Sequence, residues 1–190
     1  MPRPPILPTL DWRAIFESGV EFEKWLEAAE NPDHRSRMQE SFEKLTLDAA
    51  REGFLARLPR AVHVVAIAED WCGDVVRFTP VLMRIAAASG GQVRVRFISR
   101  DQHPDVFVRF LTNGGEAIPK FIFLNDQFVE CGNWGPMPAA CRRILSRGKG
   151  ANDIKAARER VSRMYEADPN CEAAVAEMLE LIETAVCTRP

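Results

Sequence analysis

Cys72 is the residue best placed for chemistry in this chain. It stands in Trp71-Cys72-Gly73-Asp74, after an apolar, β-branched run at residues 61–68 (AVHVVAIA) and before an amphipathic stretch at 75–89. A thiol at the first turn of a helix meets unpaired backbone N–H groups and the positive end of the helix dipole. Both favour the thiolate, which is the nucleophilic form. Lys120 and Arg77, if turned inward, would add to this, while Asp70 and Asp74 oppose a second negative charge. Trp71 and Gly73 would leave the sulfur shielded on one side and approachable on the other. Two prolines accompany the thiol. Pro80 falls inside the following helix, where a kink is expected. Ile118-Pro119 follows Gly114-Gly115 at the start of a strand, where an X–Pro bond adopts the cis form at low cost.

The other cysteines are Cys131, Cys141, Cys171 and Cys187, and the histidines are His34, His63 and His103. No two cysteines have C-x-x-C spacing, so neither a structural zinc site nor any other metal or cofactor is expected. An odd number of thiols behind an opening Met-Pro-Arg-Pro-Pro that lacks signal-peptide character argues for a cytoplasmic, reduced protein. Cys131 and Cys141 read as small core hydrophobes that could still act as second thiols. His63 reads as a core histidine and His103 as a loop residue on the strand-end side. Arg142-Arg143 and Arg147-Gly148-Lys149 read as a solvated helix end. Gly90-Gly91 and Gly114-Gly115 are helix stops without the pattern of a phosphate loop.

Positioning these residues requires a βαβαββα core. Residues 61–68 form a strand covered on both faces, 75–89 a helix, and 92–99 an alternating strand. Pro104 opens a short helix carrying Val106, Phe107, Phe110 and Leu111. Residues 121–124 and 127–131 form a tight hairpin around Asn125-Asp126, and 138–146 a further helix. The first two strands must be parallel through a helical crossover, and the last two antiparallel. Helical periodicity fills both flanks. An Asp11-capped helix carries Trp12, Ile15 and Phe16 and ends at Gly19. A helix at 21–30 follows, then one at 34–58 that Asp48 can recap. Beyond a break at 148–150, helices are expected at 152–165 and from an Asn170 cap to about 186. The divisions are thus 1–60, a helical extension; 61–148, the α/β domain; and 149–190, a second helical extension, all packed as one globular unit.

The chain has 190 residues and a mass of 21.4 kDa, with 25 basic against 27 acidic residues and a pI of about 6.0. Its 46% hydrophobic content suits one globular core. Without a basic field or a long apolar run, neither nucleic acid nor membrane is an expected partner.

Ala68-Glu69-Asp70-Trp71-Cys72-Gly73-Asp74, with Pro80, Asp101-Gln102-His103-Pro104 and Ile118-Pro119, resembles the thioredoxin family over about residues 61–146. That family carries W-C-G-P-C, a helix proline at this offset, a D-x-N-P-like segment and a cis-proline loop. The W-C-G-D form, together with Thr112-Asn113-Gly114-Gly115 and Trp134-Gly135-Pro136, is similar to a bacterial thioredoxin-like subgroup with N-terminal helices.

The resemblance implies a thioredoxin-like α/β fold, a central mixed sheet with flanking helices, plus the two helical extensions. It implies Cys72 as the catalytic nucleophile. Ile118 would pair with an extended partner through its backbone, and Pro119 would be the cis-proline. Trp71, Gly73, Asp74 and Trp134 would complete the docking surface. Three positions depart from the family: Val75 replaces the resolving cysteine, Ala66 the buried acid, and Asp74 the motif proline. The implied activity is therefore monothiol thiol–disulfide exchange with a protein or low-molecular-weight thiol or disulfide, resolved by an external thiol. The alternative is a redox-inactive module that binds proteins. A monothiol-glutaredoxin role in holding a metal cluster is disfavoured by the absence of C-G-F-S.

Overall fold

The computed structural model describes residues 9–189; the opening Met-Pro-Arg-Pro-Pro lies outside the described residues. In chain order the elements are α1 (Trp12–Ser18), α2 (Phe22–Glu27), α3 (Pro32–Lys44), α4 (Ala49–Leu55), β1 (Val62–Ile67), α5 (Gly73–Ala88), β2 (Val93–Ile98), α6 (Pro104–Phe107) with a 3-10 turn Val108–Phe110, β3 (Lys120–Leu124), β4 (Glu130–Trp134), α7 (Ala139–Gly150), α8 (Ile154–Ala167) and α9 (Glu172–Cys187).

The strands form one mixed sheet in the order β2-β1-β3-β4. Every residue of β1 is buried, as its uninterrupted apolar run requires. It pairs in parallel with β2, from Val62 opposite Val93 to Ile67 opposite Ile98, and antiparallel with β3, where Ile67 faces Lys120. The helical crossover between β1 and β2 is α5, which begins at Gly73, two residues before the expected start. This register puts the C-terminal end of β1, the N-terminus of α5 and the start of β3 at one edge of the sheet.

The hairpin differs from the expected two-residue turn. β4 starts at Glu130 and runs to Trp134, and the connection spans 125–129. The Asn125 carboxamide accepts from both Gln127 N–H and Val129 N–H at 2.9 Å, so one side chain supports the longer turn. Phe128, at φ +62, stacks on His63. The expected break at 148–150 is likewise absent. α7 continues to Gly150 because Gly148 packs against α8, where a Cβ would sit 2.4 Å from Ala157 Cβ. At the start of α9, Asn170 is not the cap. Asp168 takes the N–H groups of Glu172 and Ala173, with Cys171 at the N-cap position.

The flanking helices share the apolar core of the sheet: Trp12, Val161 and Met178 belong to the same cluster as Val64 and Phe121. Between α1 and α2, Val20 exchanges two backbone hydrogen bonds with Phe97 on the edge strand β2, at 2.9 and 2.8 Å. Trp25 stacks on the Phe97 ring at 4.7 Å. Asp11, Asn31, Asp48 and Asp153 cap their helices with side-chain oxygens. Among the described residues, no helix is long and apolar enough to cross a membrane.

Candidate functional site around Cys72

Cys72 is the N-cap residue of α5, and its carbonyl accepts from Val76 N–H at 3.0 Å. The loop that delivers it from β1 is tied on two sides. Glu69 accepts from Arg100 N–H at 2.8 Å, beyond the end of β2. Asp70 accepts from Asn31 N–H at 3.1 Å through its carboxylate, and from His34 Nδ1 at 2.7 Å through its carbonyl. The two acids preceding Trp71 thus anchor the thiol loop to the sheet and to α3. The sequence reading missed both roles, since no local pattern indicates which backbone amide lies opposite.

Facing the thiol is the loop that leads into β3. The Ile118–Pro119 peptide is cis, and the half-buried Cys72 Sγ–H donates to Ile118 O at 3.5 Å. The Ile118 side chain is itself buried. Behind the loop, Gly135 adopts φ +117 and packs against Pro119, leaving no room for a side chain. Its carbonyl accepts from Lys120 Nζ at 3.0 Å and from Arg142 Nη1 at 3.4 Å.

The electrostatics correct one expectation. Burial pushes the Cys72 thiol above its ordinary value. The Val75 and Asp74 N–H groups pull it down, the Asp74 carboxylate raises it, and Arg100 lowers it. Desolvation therefore outweighs the helix N-terminus. Neither Lys120 nor Arg77 serves the sulfur. Lys120 donates to Thr112 Oγ1 at 2.8 Å and to Gly135 O. Arg77 donates to the carbonyls of Tyr165 and Asp168 at 2.8 and 2.7 Å. Asp74 is also held upward by burial, while the Tyr165 hydroxyl, donating at 2.9 Å, and the Arg77 charge pull it back. Tyr165, from the C-terminal extension, escaped the sequence reading because it lies 91 residues from its partner.

The remaining site residues divide. Trp71 is 59% exposed and stands beside the thiol as an open apolar face, whereas Gly73 and Asp74 form the first turn of α5. Trp134, expected at the docking surface, is only 2% exposed. Its ring stacks on Phe121 and meets Phe78 edge-on, and its Nε1 donates to Glu177 at 2.8 Å. Glu177 also accepts from Ala139 N–H at 2.8 Å, so α9 fixes the end of β4 and the start of α7 together. Trp134 supports the loop from within the core.

Two cavities open at Cys72. One of about 320 Å3 lies between Trp71, Ile118, Met137 and Arg142. The other, of about 810 Å3, runs between α3, the start of α5 and the α8–α9 turn, with Arg37, Arg77, Tyr165 and Cys171 on its walls. Both fall in the size range of small-molecule sites. All five cysteines are free. Cys141 and Cys171 are buried and pushed upward by that burial, and Cys131 donates to Val129 O at 3.3 Å. His63 is a core residue, 3.1 Å from Asn125 O and lowered by burial, and His103 meets Ser18 Oγ at 2.8 Å. Among the described residues, no group of three or more His, Cys, Asp or Glu is placed to hold a metal.

Comparison with known proteins agrees with this architecture. A search of curated proteins gives no match. A Pseudomonas aeruginosa protein of unknown function is similar in structure, with a TM-score of 0.72 at 20% identity, over 93% of this chain and 99% of that one. An HIV epitope-scaffold is similar with a TM-score of 0.70 at 22% identity, over the same shares of the two chains. At these identities the likeness is one of fold. The family model described as thioredoxin matches residues 19–158, taking in α2 to α4 as well as the sheet. With the match spanning most of its length and the mixed sheet in place, the chain belongs to the thioredoxin family.

Proposed function

We propose that the protein is a monothiol thiol–disulfide exchange protein with Cys72 as its nucleophile. The observation that carries this reading is the half-buried Sγ at the N-terminus of α5, 3.5 Å from Ile118 O in the cis-proline loop, with Trp71 open beside it. Trp71, Gly73, Asp74, Ile118 and Pro119 form the surface that receives the partner, while Trp134 supports it from below. The Cys72 thiolate attacks one sulfur of a disulfide borne by a protein or a low-molecular-weight thiol. That S–S bond breaks, one thiolate leaves, and a mixed disulfide forms on Cys72. Val75 occupies the resolving position, so a second, external thiol attacks the partner's sulfur, and Cys72 departs as thiolate. A cytoplasmic pool of low-molecular-weight thiols would supply it.

The raised thiol pKa slows this chemistry without preventing it. Each unit of increase removes about tenfold of the thiolate but makes what remains about threefold more nucleophilic, so the net loss is about threefold per unit. Mass spectrometry after treatment with an oxidised low-molecular-weight thiol tests the proposal. Cys72 carries the first adduct even though Cys187 is more exposed; an adduct that forms first at Cys187 contradicts it. A second reading, a redox-inactive docking module, is favoured by the raised thiol and by Val75 at the resolving position. It requires that Cys72→Ser leave partner capture unchanged, whereas the exchange reading requires capture to be lost.

A further inference from the structure

A separate feature concerns Lys120, which the exchange chemistry does not use. Lys120 is 2% exposed, and among the described residues its ammonium donates to two neutral oxygens, Thr112 Oγ1 and Gly135 O. An ammonium has three donors, so among the described residues one is left over. No carboxylate pairs with Lys120 among the described residues. A buried cation without a counter-ion is costly, and an anion bound beside it would offset that cost. Burial, then the nearby Arg142 charge, hold Lys120 down to about 8.

A cavity of about 420 Å3 opens beside Lys120. Ala139, Arg142, Arg143 and Ser146 line one wall, and their i, i+3, i+4, i+7 spacing places them on a single face of α7. Arg142 is half-buried and oriented by the carbonyls of Gly135 and Met137, whereas Arg143 stands exposed at the rim. Thr112, Asn113 and Asn133 add neutral polar groups, and among the described residues no carboxylate lines the cavity. The N-terminus of α7 takes no part, because Glu177 occupies the Ala139 N–H. Three cations, one of them buried, line a concave space of small-molecule size, and Arg142 also borders the adjoining cavity that Asp74 and Glu116 line. Among the described residues, no aromatic side chain lines it on which a base could stack.

We propose that this cleft binds the phosphate group of a small molecule, with Lys120 and Arg142 at its base and Arg143 closing over it. Phosphate is favoured over carboxylate because three cations and the neighbouring hydroxyl and amide groups can serve three oxygens and more than one charge. The cleft shares Thr112, Asn113 and Arg142 with the smaller cavity at Cys72, so a bound molecule would reach toward the thiol.

Isothermal titration calorimetry of the full chain at fixed ionic strength tests the site, with inorganic phosphate as the probe and acetate and chloride as comparison anions. Saturable phosphate binding is expected, weakened at least fivefold by Arg143→Gln, which changes only an exposed side chain, and lost in Lys120→Met. The Cys72→Ser variant should bind phosphate as the parent does, so the result is independent of the thiol's role. Absence of saturation at millimolar phosphate, equal binding of acetate or chloride, or unchanged binding in Arg143→Gln would each overturn the proposal.

Discussion

Replacing Gly135 by alanine should loosen the loop that faces the thiol. The added Cβ would lie 2.1 Å from Pro119 O and 3.0 Å from Pro119 C, in a residue held at φ +117. A non-glycine residue in that backbone region costs about 1–3 kcal/mol. Forcing an extra carbon into packed backbone costs about 1–3 kcal/mol more. The sum is about 2–6 kcal/mol, a large share of the roughly 5–15 kcal/mol that holds a domain folded. With a urea slope of about 2 kcal/mol/M, the unfolding midpoint should fall by about 1–3 M. The displaced atom belongs to the residue after Ile118, whose carbonyl lies 3.5 Å from Cys72 Sγ. The rate of Cys72 alkylation in native buffer should therefore change as well, read by mass spectrometry of timed aliquots. A midpoint within about 0.3 M of the parent and an unchanged alkylation rate would refute the packing described here.

Two further outcomes follow from the same geometry. Glu177→Ala leaves the Trp134 Nε1–H and Ala139 N–H donors without their 2.8 Å acceptor. At about 1–3 kcal/mol for each orphaned donor, urea unfolding should show a loss of about 2–6 kcal/mol. The two donors use different carboxylate oxygens, so Glu177→Gln accepts from only one of them, turns an N–H toward the other and should be destabilised as well; either variant as stable as the parent would contradict the role. Asp74→Asn tests the buried carboxyl. Burial raises its folded pKa above its unfolded value, so the folded state holds the proton more tightly. That stabilisation is complete below the unfolded value and is lost as pH rises through the folded one. The asparagine variant should gain stability relative to the parent as pH climbs from about 4 to about 7, with an amide oxygen still accepting from Tyr165. A difference independent of pH in urea titrations would contradict the assignment.

The fold was legible because its signals are local. The β1 run is apolar at nearly every position, as a strand covered on both faces demands, and acidic or amide N-caps mark four helix starts. The differences arise where one residue takes a role that its type alone does not announce. Asn125 lengthens the hairpin turn by capping two amides, Asp168 caps α9 from outside the helix, and Gly148 makes a packing contact where the sequence suggests a stop. At the site, the residues flanking Cys72 and the proline opposite could be named in advance, since they travel as motifs. Two features could not. The direction of the thiol's shift depends on burial, a tertiary quantity, and the Tyr165 and Glu177 contacts join residues 91 and at least 38 positions from their partners. Trp134 shows the same limit, because an indole at the end of a hairpin reads equally as surface or core until α9 is seen to cover it.

The claim that Cys72 is presented for exchange is tested most directly by its reaction with an aromatic disulfide across pH 7–10. The variant used has the other four cysteines replaced by alanine or serine, and is compared folded and in urea. Normalised to the fraction of thiolate, the folded chain should react faster than the unfolded one, with the folded pKa lying above the unfolded value. A folded chain that reacts more slowly per thiolate would mean that the fold shields the sulfur rather than offering it.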